Sequence, residues 1–257
     1  MSTLAGKHGL VVGVANKRSI SWAVAQAAVA AGARLALTYP SERLEENVRE
    51  LAATLDRPVV LPCDVTSDQQ IDALAAALDA EFGGLDFLLH GAAFAPKADL
   101  EHPVVQTSRE GFRIALDVSA YSLIGLTRAV VPLMKKRGGG SVLTLTYLGS
   151  QRVFTNYNVM GVAKAALEAC VRYLASDLGP DNIRVNAISA GPVKTLAAMG
   201  IKDFSSIRDI YGERTPLRRN IEPGEVADTA VFLFSAAARG ITGDIMMVDA
   251  GYHVTGM

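Results

Sequence analysis

Tyr147, Tyr157 and Lys164 are the residues whose types and spacing most readily do chemistry. Tyr157 and Lys164 stand seven positions apart. That is about 20° short of two helical turns, so a phenol and an ammonium share one helix face, roughly 10 Å apart along the axis. Tyr147 lies ten residues upstream of Tyr157, where an apolar strand ends. A lysine near a phenol favours the phenolate and lowers its pKa from about 10. The set suits proton supply or oxyanion stabilisation beside a bound cofactor, and the lysine can also bind ribose hydroxyls. The plain alternative is an exposed helix with an ordinary lysine and a half-buried tyrosine. The strand end at Tyr147 and the small and polar residues before Tyr157 favour the chemical reading.

A second signal stands at the N-terminus. An apolar strand from Gly9 runs into Gly13-Val-Ala-Asn-Lys-Arg-Ser19-Ile20, and a helix follows. Glycine at such a turn lets backbone approach a pyrophosphate, which the free N–H groups of the helix start would receive. The G-x-G-x-x-G form is absent, so Gly13 alone reads equally as a turn residue. Ser19 caps the helix, holds phosphate, or does both. The second strand ends in Tyr39-Pro40 with no acid to clasp a ribose 2′-hydroxyl. Arg43 could meet a 2′-phosphate but reads more simply as a solvated side chain, and NADH is favoured over NADPH. Asp64-Val65, after the third strand, places a carboxylate either by an adenine amine or in a turn.

These residues need a frame that brings strand ends together. Strand and helix signals alternate: strands over 9–13, 34–39, 59–63, 85–90, 141–146, 184–189 and 244–248, with helices over 19–31, 41–55, 67–82, 108–136, 157–177 and 222–235. Gly138-Gly-Gly140 ends the longest helix. Apolar strands separated by helices predict an α/β fold of the Rossmann type: one doubly wound domain over 1–257, with seven parallel strands covered by helices on both faces. The stretch before residue 108, with Pro96 and Pro103, reads as a loop, and residues 190–220 read as one long irregular connection with room for short helices and a substrate-binding lid at about 192–220. Gly13, Asp64, Gly91, Tyr147 and Ala190 all fall at carboxyl ends of strands, where ligands bind in such sheets.

Composition narrows the partners. The 257 residues are 50% apolar and 20% charged, enough for a substantial core. With 25 basic and 26 acidic residues there is no charge excess to hold nucleic acid or a lipid surface. No export signal is visible at the N-terminus, and the uncharged run 19–33 is too short to span a bilayer. Cys63 and Cys170 lack a CxxC or histidine partner, so no metal site is expected and a reducing, cytoplasmic compartment is.

Together the motifs resemble the short-chain dehydrogenase/reductase superfamily, and more closely its divergent branch, the bacterial type I enoyl-acyl carrier protein reductases. The resemblance covers nearly the whole chain. Its carriers are Gly13-x5-Ser19-Ile20, His90-Gly-Ala-Ala-Phe94-Ala95, Tyr147-Leu-Gly149, Tyr157-x6-Lys164, Arg184-Val-Asn-Ala-Ile-Ser-Ala-Gly-Pro192, Thr215-Pro-Leu-Arg-Arg219 and Gly240-Ile-Thr-Gly-Asp. Gly91, Ala92 and Pro40 depart from the branch's usual residues, which bears on cofactor affinity and not on reaction type.

The resemblance implies NADH-dependent reduction of trans-2-enoyl-acyl carrier protein in fatty-acid elongation, by a homotetramer whose subunits meet through the helices at 108–136 and 157–177. It assigns Tyr157 as donor to the thioester oxygen, Lys164 to the nicotinamide ribose, and Tyr147 to the pocket wall or to proton delivery. It assigns Gly13, Ser19, Ile20, Pro40, Asp64, Val65, Ala92, Val193, Thr195, Leu196 and Ala197 to the cofactor. Phe94, Ala95, Met160, Phe204 and the two tyrosines would line an acyl tunnel. A carbonyl or alcohol dehydrogenase of the superfamily and a catalytically silent NAD-binding sensor are the rival readings. Tyr-x6-Lys with Tyr147 disfavours the first, and intact Tyr157 and Lys164 the second.

Overall fold

Short apolar strands that return through helices on alternating sides leave one solution, a parallel sheet buried on both faces. The computed structural model describes residues 3–195 and 204–255, without the side chains of residues 204–207. Strands β1 (His8–Val12), β2 (Arg34–Tyr39), β3 (Val59–Pro62), β4 (Phe87–His90), β5 (Gly140–Thr146), β6 (Ile183–Ala190) and β7 (Ile245–Val248) form the sheet. Their order is β3-β2-β1-β4-β5-β6-β7, and every neighbouring pair is parallel. The expected seven-stranded Rossmann-type arrangement is what the chain adopts.

The helices are α1 (Ile20–Ala30), α2 (Glu42–Ala52), α3 (Asp68–Phe82), α4 (Lys97–Glu101), α5 (Arg109–Leu116), α6 (Ser122–Lys136), α7 (Asn158–Leu178), α8 (Phe204–Arg214) and α9 (Pro223–Phe234). Strand side chains alternate between two cores. Val11, Phe87, Leu89, Leu143 and Ile188 meet α1 and α9 through Trp22, Ala25, Val226 and Leu233. Leu10, Val12, Leu88, Val142 and Val185 meet α3, α6 and α7 through Leu74, Leu126, Leu167 and Val171.

Two expectations are corrected. The single helix over 108–136 is interrupted by a π turn at Asp117–Tyr121. There the Ser122 hydroxyl donates to the Val118 carbonyl at 2.7 Å, while Ser119 turns to another segment. A backbone carbonyl held by a hydroxyl and a side chain claimed from outside widen the turn. The run Arg109–Lys136 is long and apolar enough by composition to cross a membrane; Leu123, Leu126, Val130 and Leu133 instead bury against the sheet. Second, the connection over 91–107 carries α4 and a 3₁₀ turn at Val104–Gln106. The stretch 190–220 holds α8, a helix of the kind the sequence leaves room for there. Among the smaller shifts, Gly140 begins β5 instead of ending a helix, and Tyr157 precedes α7 as its N-cap with αR backbone angles.

The strand order reverses between β1 and β4, whose register pairs Val12 with His90. One residue further, Gly13 and Gly91 therefore lie side by side at the crevice where such sheets bind ligands. Leu88, fully buried in β4, anchors that edge. We predict that Leu88→Ala lowers unfolding free energy by about 2–5 kcal/mol, measured by urea denaturation; a loss under about 1 kcal/mol would show that the core around Leu88 is not tightly filled.

Candidate active site

The first strand turn is built for close backbone approach. Gly13 has φ of +95°, and a Cβ there would lie 2.5 Å from the carbonyl carbon and oxygen of Gly91. Gly91 donates its N–H to Val12 at 3.0 Å, and a Cβ on Gly91 would meet the Ser21 hydroxyl at 2.1 Å. Glycine at both positions, with Ser21 filling the space, is thus a steric requirement of this edge. The first turn of α1 carries no acidic side chain, leaving its amide dipoles uncompensated for an anion.

Ser19 occupies the N-cap position without a side-chain cap bond. Its hydroxyl donates to the Asn16 carbonyl at 2.6 Å, and the Asn16 side chain accepts from the Arg18 N–H at 2.8 Å. The expected side-chain cap is therefore replaced by an internal tie of the Gly13–Ser19 turn. Asn47 of α2 donates to the Ala15 carbonyl and braces the same turn. Pro40 is exposed, and Val65 is buried in the second core. Asp64 Oδ1 accepts from the Thr66 N–H and hydroxyl at 2.9 and 2.8 Å, a turn-forming role.

At the end of β4, Ala92 is half-buried and Phe94 is 55% exposed, while Ala95 is buried. Ser119, in the π turn, accepts from the Phe94 N–H at 3.0 Å and donates to the Phe94 carbonyl at 3.1 Å. Both backbone groups of Phe94 are thereby held by one hydroxyl. Ala95 and Met160 cluster with Val159 and Ala163, and Tyr157 packs against them.

The two tyrosines meet across the loop that separates them. The Tyr147 and Tyr157 rings lie 5.0 Å apart, edge to face at 73°. The approach depends on Gly149, where a Cβ would sit 2.5 Å from the Tyr157 ring, and on Gly161, where one would sit 2.7 Å from the Gly149 carbonyl. Tyr157 itself lies between Asn156 and Asn158, both with positive φ, a conformation asparagine tolerates. The Asn158 amide donates to the carbonyls of Leu100 and His102, each at 2.6 Å. Sequence reasoning missed two more members of this wall. Tyr211 of α8 shares a hydrogen bond with Tyr147, oxygen to oxygen at 3.1 Å, and stacks on Tyr252 at 3.6 Å.

Lys164 is 7% exposed and donates to the Leu145 carbonyl at 2.7 Å. Burial lowers its pKa to about 8, and the Glu168 carboxylate pulls it the other way. The expectation that Lys164 makes Tyr157 more acidic is overturned. Burial pushes the Tyr157 phenol well above its ordinary value, and Tyr147 and Glu168 push it further. Burial likewise raises Tyr147, against the Tyr211 hydrogen bond. Both phenols are proton-bearing donors at neutral pH. Glu168, absent from the sequence reading, was findable, since it follows Lys164 by one helical turn.

Val193 is buried and accepts from the Thr195 N–H at 2.7 Å beyond β6. Leu196, Ala197 and the side chain of Phe204 lie outside the described residues. Among the described residues, no group of three or more His, Cys, Asp or Glu is placed to hold a metal ion.

The enoyl-(acyl carrier protein) reductase family matches residues 13–253. The chain belongs to this family. It is 52% identical over 255 residues to the NADH enoyl-[acyl-carrier-protein] reductase of Bacillus subtilis (strain 168), covering 98% of each chain. It is 54% identical over 258 residues to the Bacillus cereus enzyme of the same name, covering 100% of both. Among solved structures, the Bacillus cereus enoyl-acyl carrier protein reductase with NADP+ and indole naphthyridinone superposes with a TM-score of 0.97 at 53% identity, over 100% of both chains. The Anaplasma phagocytophilum reductase in complex with NAD superposes with a TM-score of 0.95 at 46% identity, over 99% of this chain and 96% of that one.

Within the family frame, the Gly13–Gly91 edge and the start of α1 suit a dinucleotide pyrophosphate: backbone is exposed where any side chain would collide. We predict that Gly13→Ala, which strains a left-handed position by about 1–3 kcal/mol, weakens NADH binding at least tenfold. Fluorescence titration of bound NADH reads this directly, and an unchanged affinity would remove Gly13 from the phosphate cradle.

Proposed function

We infer that this chain reduces the trans-2 double bond of enoyl-acyl carrier protein thioesters with NADH, in the elongation cycle of fatty-acid biosynthesis. Membership of the reductase family over residues 13–253, at about half identity to the NADH enzymes along their full length, carries this reading. The site's own geometry supports the division of labour proposed below.

NADH, when bound, supplies the hydride that saturates the double bond. Gly13, Ser19, Ile20, Pro40, Asp64, Val65 and Ala92 on one side of the crevice, and Val193, Thr195, Leu196 and Ala197 beyond β6, would hold it, with Lys164 at the ribose. As the β-carbon is reduced, negative charge gathers on the thioester oxygen. A phenol kept protonated by burial is a prepared donor for that charge, and Tyr157 fills the role. Lys164, charged below about pH 8, adds positive potential from behind. Tyr147 stands edge-on to Tyr157 and orients it; its own hydroxyl is engaged with Tyr211. Phe94, Ala95, Met160 and Phe204 would face the acyl chain, under a lid over about 192–220 within a single domain.

The enzyme is proposed to work as a homotetramer in the cytoplasm. Phe112, Tyr121, Val162 and Tyr173 on α5 to α7 are 42%, 44%, 41% and 76% exposed. Phe112 and Val162 line a concavity of about 360 Å³ with Val104 and Val159. An apolar helical face of this kind is what a second copy would cover. The two cysteines are unpaired, with Cys63 buried, as suits a reducing compartment.

Two measurements test the reading. Tyr157→Phe is expected to lower kcat/KM for crotonyl thioester by about 10²–10³, with NADH affinity kept; full activity would refute the donor assignment, and turnover of ketones in place of enoyl thioesters would refute the reaction. Sedimentation at micromolar protein is expected to give a tetramer, and a monomer would remove the subunit assignment.

A further inference from the structure

Glu168 is a buried acidic residue beside the tyrosines and Lys164 that the reaction does not use. It is 5% exposed, on the inner face of α7 one turn beyond Lys164. A buried carboxylate is retained only where partners compensate its lost hydration. Here Oε1 accepts from the Thr146 hydroxyl at 2.7 Å and from the Ser150 hydroxyl at 2.6 Å. Thr146 immediately precedes Tyr147, and Ser150 closes the 3₁₀ turn that follows it. The two donors thus bracket the segment that presses Tyr147 and Gly149 against Tyr157. The same strand end reaches Lys164 through the Leu145 carbonyl.

We propose that Glu168 is a positioning residue for the reduction: its carboxylate clamps the end of β5 on both sides of Tyr147, the same strand end whose Leu145 carbonyl receives the Lys164 ammonium. This rests on the assignment of Lys164 to the active site. Four titratable groups among the described residues stand around this strand end. Glu168 comes from α7 and Tyr157 from its N-cap, Tyr147 from the end of β5, and His90 from β4. His90 is fully buried, with Nδ1 2.8 Å from the Thr144 hydroxyl and Nε2 2.7 Å from the Ser122 hydroxyl. Burial and the Lys164 charge lower its pKa to about 3, so it stays neutral. The two phenols also stay neutral, being pushed upward. Glu168 is then the one anion of this set that opposes the desolvation of the ammonium.

The sign follows. A lysine whose pKa is lowered to about 8 loses its charge as pH rises through that value; without the carboxylate it loses it earlier. In Glu168→Gln the shape and an amide acceptor for the hydroxyls remain and the charge is gone. The alkaline limb of kcat/KM for crotonyl thioester should move down by about one pH unit, and Glu168→Asp should return it toward the wild-type position. An NMR titration of the Lys164 side chain should move with the limb. A limb and a lysine titration that both stay in place in Glu168→Gln overturn the proposal. Lys164→Met separates the underlying reading: full activity there removes Lys164 from the reaction, while the lysine titration in Glu168→Gln still decides its coupling to Glu168. Should Glu168→Gln not fold, Thr146→Val with Ser150→Ala replaces it. That variant keeps the carboxylate, so the limb should stay near pH 8 while kcat falls at every pH. A limb displaced downward there would assign the effect to the hydroxyl framework and overturn the proposal.

Discussion

An ammonium buried against the Leu145 carbonyl is the constraint around which the site is arranged. Taking a lysine out of water disfavours its charge, and the pKa of about 8 expresses that cost. The carbonyl that receives it belongs to β5, a strand bonded on one side to β4 and on the other to β6. The ammonium is thereby fixed relative to the sheet, and α7 is fixed with it. Tyr157, two turns earlier on the same face, inherits its place from this contact. The phenol is pushed above its ordinary pKa by burial, and by Tyr147 and Glu168 in addition. A protonated phenol and a cation that keeps its charge up to mild alkalinity suit stabilisation of a developing oxyanion better than delivery of a labile proton.

The opposite side of the crevice is governed by exclusion. Gly13 and Gly91 touch backbone to backbone, and Ser21 occupies the room that a larger residue at Gly91 would need. Glycine at position 91 has a local physical explanation, since a side chain there collides with the Ser21 hydroxyl. The π turn between α5 and α6 joins the two sides. Its Ser119 holds Phe94 by both backbone groups, while Ser122 receives the His90 ring. What reads in sequence as one long helix is a helix broken where its side chains are needed elsewhere.

Much of this was legible beforehand. Apolar runs of strand length with helical segments between them imply a parallel sheet, and Tyr157 and Lys164 follow from helical periodicity alone. Legibility ended where a residue's role depends on what approaches it from outside its own segment. Ser19 has the type and position of a capping residue, yet its hydroxyl turns to Asn16. Asp64 serves Thr66 in its own turn. Tyr211 carries no local pattern, since its partners Tyr147 and Tyr252 lie 64 and 41 residues away in the chain.

The sequence by itself determined the seven-stranded α/β frame, the glycine turn at Gly13 and the common face of Tyr157 and Lys164, because periodicity and backbone sterics act over a few residues. Tertiary structure alone decided the electrostatics. The protonation of Tyr157, the lowered pKa of Lys164, the neutrality of His90 and the clamp formed by Glu168 all depend on burial and on contacts between distant segments. Desolvation is a property of the packed surroundings, and no spacing of residues along a chain encodes it.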